Sequence, residues 1–165
     1  MRWFVLICVC LTFAGCGLDE TTHRSDKPLS LEEVNKDGAW ISSLPFPTST
    51  TNVYYFFHAG GLQEYEFVVR FTVDPKDLNG AVSNLCAYND KTAKEGHSFT
   101  PSYISTSISN AHRQPFDLSE IGLKSTPWWN PDSITNGYYC GNTNDLSFDI
   151  WADIPNHTIY LSEID

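Results

Sequence analysis

Residues 64–73 read EYEFVVRFTV, and this stretch decides how the chain folds. Apolar side chains alternate with polar or charged ones along most of it, which is the period of two expected of a strand with one buried face. Residues 52–58, NVYYFFH, form a second β-prone run, and residues 59–61, AGG, permit a turn between the two runs. The two runs therefore predict a β-hairpin.

A helix and a second hairpin are predicted after the first hairpin. Asp74-Pro75 is a favourable helix opening, and the apolar residues that follow recur at i, i+3, i+4 and i+7. These residues are Leu78, Ala81, Val82 and Leu85. Residues 146–153 alternate again, and a turn at 154–157 leads into a last β-prone run at 158–164. The pattern predicts an α+β fold, a small antiparallel β-sheet of two hairpins with one main helix packed on it.

A short helix is predicted ahead of the first hairpin. Ser30 and Glu33 have the spacing of a capping box, in which each side chain bonds to the backbone of the other. Leu29 and Val34 are placed for the apolar contact that often accompanies such a helix start. Because a chain of 165 residues suits one domain, residues 30–165 are predicted to fold as a single unit.

The first 16 residues, MRWFVLICVCLTFAGC, have the three parts of an export signal. Arg2 supplies the positive charge, and residues 3–13 form an apolar run that is too short for a bilayer core, which needs about 20 residues. Small residues, Ala14 and Gly15, then precede Cys16. The segment therefore predicts export of the chain and cleavage near residue 15.

Residues 13–16, Phe-Ala-Gly-Cys, resemble the lipobox of bacterial lipoproteins, although Leu is more common than Phe at the first position. The resemblance implies that residues 1–15 are a lipoprotein signal peptide and that Cys16 is joined to lipid that holds the protein in a membrane. By resemblance to enterobacterial sorting, Gly17 favours the outer membrane over the inner one. The alternative is an ordinary secretory signal ending near Ala14, with the domain freely secreted.

The order of elements in residues 40–165 also resembles small bacterial lipoproteins of unknown function, and that resemblance implies no activity. Residues 16–29 are mostly polar and are predicted to be a flexible tether between lipid and domain. The formal net charge of −10 excludes nucleic acid as a partner, because phosphates require a basic surface. An acidic protein is also repelled by anionic lipid headgroups, so membrane attachment is expected through Cys16 alone.

Cys86 and Cys140 are the cysteines that remain for an internal pair once Cys16 is lipidated and residues 1–15 are removed. An exported protein meets an oxidising compartment, which permits a disulfide between them. The alternative is two separate buried thiols.

The sequence gives weaker indications of catalysis or metal binding than of export and fold. Asp149 and Asp153 lie on one face of a predicted strand, with Glu64 and Glu66 on another, and such carboxylates could serve an envelope hydrolase. Acids spaced by two are also typical of a solvated strand face. The histidines are scattered singly, without metal-ligand spacing, and no catalytic residue, metal or cofactor is predicted.

An aromatic cluster near the C-terminus is the best lead to a binding surface. Its members are Trp128, Trp129, Tyr138, Tyr139 and Trp151. Trp151 alternates with Ile150 and is expected to face outward, where exposed rings could hold a sugar ring or a partner protein of the envelope. The alternative is that the Trp pair covers the sheet face left bare by the helix. The sequence as a whole predicts a lipid-anchored envelope protein that acts as a binding or structural module without catalysis.

Overall fold

Seven strands and two α-helices make up the regular structure of the part that the computed structural model describes, residues 21–37, 41–59, 65–92, 101–104, 126–141 and 149–164. The strands are β1 (Thr21–Arg24), β2 (Thr51–Ala59), β3 (Tyr65–Thr72), β4 (Ser102–Ile104), β5 (Gly137–Cys140), β6 (Asp149–Asp153) and β7 (Thr158–Ile164). The helices are α1 (Leu31–Asp37) and α2 (Leu78–Thr92), and single 3-10 turns lie at Ile41–Ser43 and Pro131–Ser133.

All seven strands form one antiparallel sheet in the order β1-β2-β3-β7-β6-β5-β4. Both predicted hairpins, β2-β3 and β6-β7, are present and meet side by side through β3 and β7. The antiparallel sheet and the single main helix are therefore confirmed, but a sheet of only two hairpins is wrong. The two predicted hairpins leave out β1, β4 and β5, because strands of three or four residues are too short to show a clear alternation.

The edge strand β1 lies within the segment expected to be a flexible tether over residues 16–29. Its side chains are mostly exposed, so it is held by backbone pairing to β2 rather than by apolar burial. Beyond it, the Ser25 amide donates to the Tyr55 carbonyl at 2.9 Å, and Leu29 and Val53 exchange two backbone bonds of 2.9 and 3.0 Å. The chain therefore joins the sheet from Thr21 onward, nine residues before the predicted domain start at Ser30.

The main core lies between α2 and one face of the sheet. All four residues of the predicted helical stripe are buried there, as are Cys86 and alternate residues of the central strands. The strand residues are Val53, Tyr55, Phe67, Val69, Phe71, Ile150, Ala152, Ile159 and Leu161. α2 begins at Leu78, later than the predicted cap at Asp74, because residues 75–77 form a turn in which the Asp77 amide donates to the Asp74 carbonyl at 2.9 Å.

A disulfide joins α2 to β5. Cys86 and Cys140 are bonded, with their Cα atoms 6.1 Å apart and a sequence separation of 54. Both residues belong to the main core and are nearly fully buried. The predicted pairing is confirmed, and it fastens the helix to the C-terminal half of the sheet.

The start of α1 follows the predicted capping box. The Ser30 amide donates to Glu33 Oε2 at 2.7 Å, and the Glu33 amide donates to Ser30 Oγ at 3.3 Å. The bond from the Ser30 backbone, followed by that from its side chain, lowers the pKa of Glu33 below its usual value. Val34 is buried in the main core, with Leu29 packed against that cluster, so the apolar contact anchors the helix to the sheet.

Candidate functional site

The face of the sheet opposite α2 carries one row of large side chains that crosses five strands. In the register of the sheet, Tyr54 pairs with Arg70, Arg70 with Tyr160, Tyr160 with Trp151, and Trp151 with Tyr139. Each member alternates in its strand with residues of the main core, so the row points away from α2. Four of the five side chains are aromatic and one is a cation. We call this set the aromatic row.

A tight loop at residues 126–130 lies over this row. The Trp129 amide donates to the Thr126 carbonyl at 2.9 Å, which closes the turn. The Trp129 ring meets Trp151 edge-on at a centroid distance of 6.2 Å and Tyr160 at 5.6 Å. The neighbouring Trp128 ring stacks on Tyr54 at 5.5 Å, with only 20° between the planes. The Trp pair thus covers the sheet face left bare by the helix, as the alternative interpretation of the sequence expected.

The five aromatic residues of the predicted binding surface do not form one exposed patch. Trp151 lies on the face opposite Ile150, as predicted, but it is 0% exposed, and Tyr139 is 7% exposed. The expectation of an outward Trp151 is wrong because the 126–130 loop turns that face into a second core. Tyr138 points to the other face and packs against the main core. Trp128 and Trp129 remain partly exposed.

A cavity of about 600 Å³ opens beside Trp128, and we call it the Trp128 groove. Tyr54, Arg70 and Tyr160 of the aromatic row contribute to its wall. The remaining lining residues are mostly polar: Asp26, Thr72, Pro127, Asn130, Ser133, Asp153, Asn156 and Thr158. A smaller cavity of about 320 Å³ also borders Trp128, where Arg24 and Phe56 contribute to the wall. The groove is of the size that small-molecule sites commonly have.

Arg70 is the cation of the groove, and it lies at the centre of its aromatic lining. Its guanidinium carbon is 5.3 Å from the centroid of the Tyr54 ring, within the range of a cation–π contact. Burial raises the pKa of Tyr160, while the charge of Arg70 and its hydrogen bond to the Tyr160 side chain act in the opposite direction. The ion pairs of the described residues are Arg24–Asp26, Lys36–Glu32 and Lys76–Asp74, and none of them includes Arg70.

The acidic residues of the groove already have hydrogen-bond donors. Asp153 is 6% exposed and accepts from the Asn156 amide nitrogen at 3.3 Å and from Asn156 Nδ2 at 2.7 Å. Asp26 accepts two bonds from the guanidinium of Arg24, one of them at 3.0 Å from Nε. Both carboxylates therefore already accept bonds within the protein, with both bonds to Asp26 ending on Oδ1, and Arg70 is the charged donor that lines the groove.

The carboxylates considered for a hydrolase do not come together as a pair. Asp149 and Asp153 are both buried, and four residue steps along the strand place them about 13 Å apart. Hydrolases that cleave glycosides place their two carboxyl groups about 5–9.5 Å apart. Asp149 instead accepts a bond of 2.7 Å from the Tyr139 hydroxyl, and Glu64 lies outside the described residues. The expectation of two solvated acids on an outer strand face is wrong, because the second core covers that face.

No protein-family model, curated protein or solved structure matches the chain. Within the described ranges, no three His, Cys, Asp or Glu side chains are grouped so as to hold a metal ion. The same residues include no helix with the length and apolar character to cross a membrane. Cys16 and the rest of the first 20 residues lie outside the described part of the chain.

Of the residues that line the groove, Trp128 and Asp153 are among the candidates predicted from the sequence, whereas Tyr54 and Arg70 are not. A signal for Arg70 was present, because it is the one basic residue in the stretch 64–73, among aromatic and aliphatic neighbours. Nothing in the sequence indicates that Tyr54 and Tyr160 flank it, since that neighbourhood depends on the register of three strands.

Proposed function

We propose that this chain is a lipid-anchored protein of the bacterial cell envelope, without catalysis, that binds a ligand in the Trp128 groove. The single observation that carries the binding role is the groove itself. It combines a partly exposed tryptophan, an arginine outside any ion pair of the described residues and a mostly polar wall around about 600 Å³. Sites for small ligands typically combine a few convergent polar groups with aromatic surface. The proposed partners are an envelope glycan or protein.

The proposed anchor rests on the lipobox-like residues 13–16 and favours the outer membrane. If Cys16 carries lipid, only five residue steps join it to Thr21 at the start of β1, which is at most about 18 Å of chain. The domain would then lie close above the membrane surface. The formal net charge of the full chain, −10, gives no attraction to anionic headgroups, so the lipid alone would supply the attachment.

Replacing Cys16 by alanine is expected to remove the protein from the membrane fraction. The wild-type chain should sediment with membranes, and its intact mass should correspond to a chain that starts at Cys16 and carries acyl groups. A matched control is Cys10→Ala, which removes a cysteine from the leader and should leave both results unchanged. A mature chain without lipid, cut at another position, would favour the freely secreted alternative and contradict the anchor.

Replacing Trp128 by alanine is expected to abolish most binding in the groove, because this side chain borders both cavities. The probe is a soluble oligosaccharide digest of bacterial envelope, titrated into the full chain in detergent micelles while intrinsic fluorescence is followed. We expect at least about a tenfold loss of affinity, the size of one good contact of 1.4 kcal/mol. Tyr103→Ala is the control, since Tyr103 is 59% exposed and does not line the groove. Equal titrations for wild type and Trp128→Ala would argue against the groove as the binding site.

A further inference from the structure

We propose that the Trp128 groove takes a saccharide that carries an anionic group, and that Arg70 binds this group. The inference rests on the proposed function and names the ligand class of the same site. It is carried by three observations on the groove, namely the contacts of its arginine, the contacts of its acids and the nature of the remaining wall.

The guanidinium of Arg70 has more N–H donors than its contacts within the protein use, although the protein is rich in acidic residues. A guanidinium offers five N–H donors, and its contacts here are the Tyr160 side chain and the face of the Tyr54 ring. Although the chain carries 20 acidic residues against 10 basic ones, no ion pair of the described residues involves Arg70. A half-buried arginine that lines an open cavity is suited to hold a carboxylate or phosphate with two parallel hydrogen bonds. The ligand group that would accept hydrogen bonds from the Arg70 guanidinium is therefore an anion.

The carboxylates of the groove are less suited to bind a cation than Arg70 is to bind an anion. Each oxygen of Asp153 already accepts a bond from Asn156, and Asp26 is paired with Arg24. A basic ligand would have to compete with these bonds and would also meet the charge of Arg70. The arrangement therefore favours an anionic ligand over an amino sugar or a basic peptide.

The rest of the wall suits a sugar better than a bare anion. The cavity of about 600 Å³ is far larger than a phosphate or carboxylate needs, and its polar lining is built from hydroxyl and amide side chains. The hydroxyls of Thr72 and Thr158 already donate to the carbonyls of Thr51 and Asn156, so the exposed Asn130 is the lining amide placed to bond to sugar hydroxyls. Trp128, stacked on Tyr54 and partly exposed, offers aromatic surface to the C–H groups of a sugar ring.

The test is a titration of the full chain in detergent micelles with four defined probes. These probes are digalacturonate, galactose 1-phosphate, neutral galactobiose and inorganic phosphate. We expect the two acidic sugars to bind at least about tenfold more tightly than galactobiose, since a hydrogen bond to a charged group is worth about that factor or more. The acidic sugar that binds more tightly identifies the anion as carboxylate or phosphate. Inorganic phosphate should bind more weakly than either, because it makes no contact with the aromatic surface.

Variants of Arg70 connect the preference to this side chain. Arg70→Gln should lower the affinity for the acidic sugars about tenfold and leave galactobiose unchanged. Arg70→Lys keeps the charge without the planar fork and should retain part of the preference, which separates loss of the anion contact from damage to the fold. Lys76→Gln is the matched control, because it removes the same charge from an exposed ion pair outside the groove.

The results that would overturn this inference can be distinguished from those that would overturn the proposed function. Equal affinity for galactobiose and the acidic sugars, or an unchanged preference in Arg70→Gln, would overturn the inference. Inorganic phosphate binding as tightly as the sugars would overturn the saccharide part. If none of the four probes binds, the inference is also overturned. The proposed function then still stands if the envelope digest binds the wild type and loses affinity with Trp128→Ala.

Discussion

Replacing Trp151 by alanine is expected to lower the free energy of unfolding by about 3–5 kcal/mol, the usual cost of removing a large buried aromatic side chain. Trp151 is the largest fully buried side chain of the described residues. Its ring contacts Tyr139 at 5.8 Å and Trp129 at 6.2 Å, so its loss would leave a cavity between the sheet and the 126–130 loop. Urea unfolding followed by far-UV circular dichroism measures the effect.

Two further variants make the Trp151 result specific. Trp151→Phe should cost less than Trp151→Ala, because an aromatic ring is kept and the indole nitrogen that is lost has no hydrogen-bond partner among the described residues. Ser83→Ala, at an exposed position of α2, should change stability by no more than about 0.5 kcal/mol. A loss below about 1 kcal/mol for Trp151→Ala would show that the second sheet face is not a packed core.

The parts of the fold that could be predicted from the sequence depend on local periodicity and short motifs. Alternation in the stretch 64–73 placed β3 and its inward face, because the side chains of a strand point alternately to its two sides. The apolar spacing after Asp74 identified α2, and the Ser30 and Glu33 pair marked the start of α1. Each of these signals is complete within about ten residues, so no knowledge of the tertiary structure is needed.

The size of the sheet could not be predicted, because its outer strands have little pattern of their own. β1 reads TTHR, without a single apolar residue, and owes its conformation to backbone bonds with the edge of β2. β5 is only four residues long, and it follows a 3-10 turn rather than a recognisable hairpin. Such strands can be assigned only when the positions of the neighbouring strands are known.

The candidate site was hard to predict for a related reason. Alternation tells which side of β6 Trp151 occupies, but it does not tell that a loop more than 20 residues earlier covers that side. The groove likewise brings together Tyr54, Arg70 and Tyr160 from strands that are distant in sequence. Two lining residues could be singled out from the sequence, Trp128 as part of an aromatic pair and Asp153 as one of two spaced carboxylates.

Removing the disulfide is expected to lower the free energy of unfolding by about 4 kcal/mol. Cys86 and Cys140 have a sequence separation of 54, and closing a loop of that length lowers the entropy of the unfolded chain by about that amount of free energy. The loss is large beside the total of about 5–15 kcal/mol typical of folded domains. The variant is the double change Cys86→Ala and Cys140→Ala, because alanine puts no hydroxyl into a buried site. Urea unfolding is measured for wild type and variant, each with and without a thiol reductant. Reductant should bring the wild type close to the variant and leave the variant unchanged. If full reduction, confirmed by alkylation of both cysteines, leaves the free energy of unfolding of the wild type unchanged, the cross-link contributes no stability.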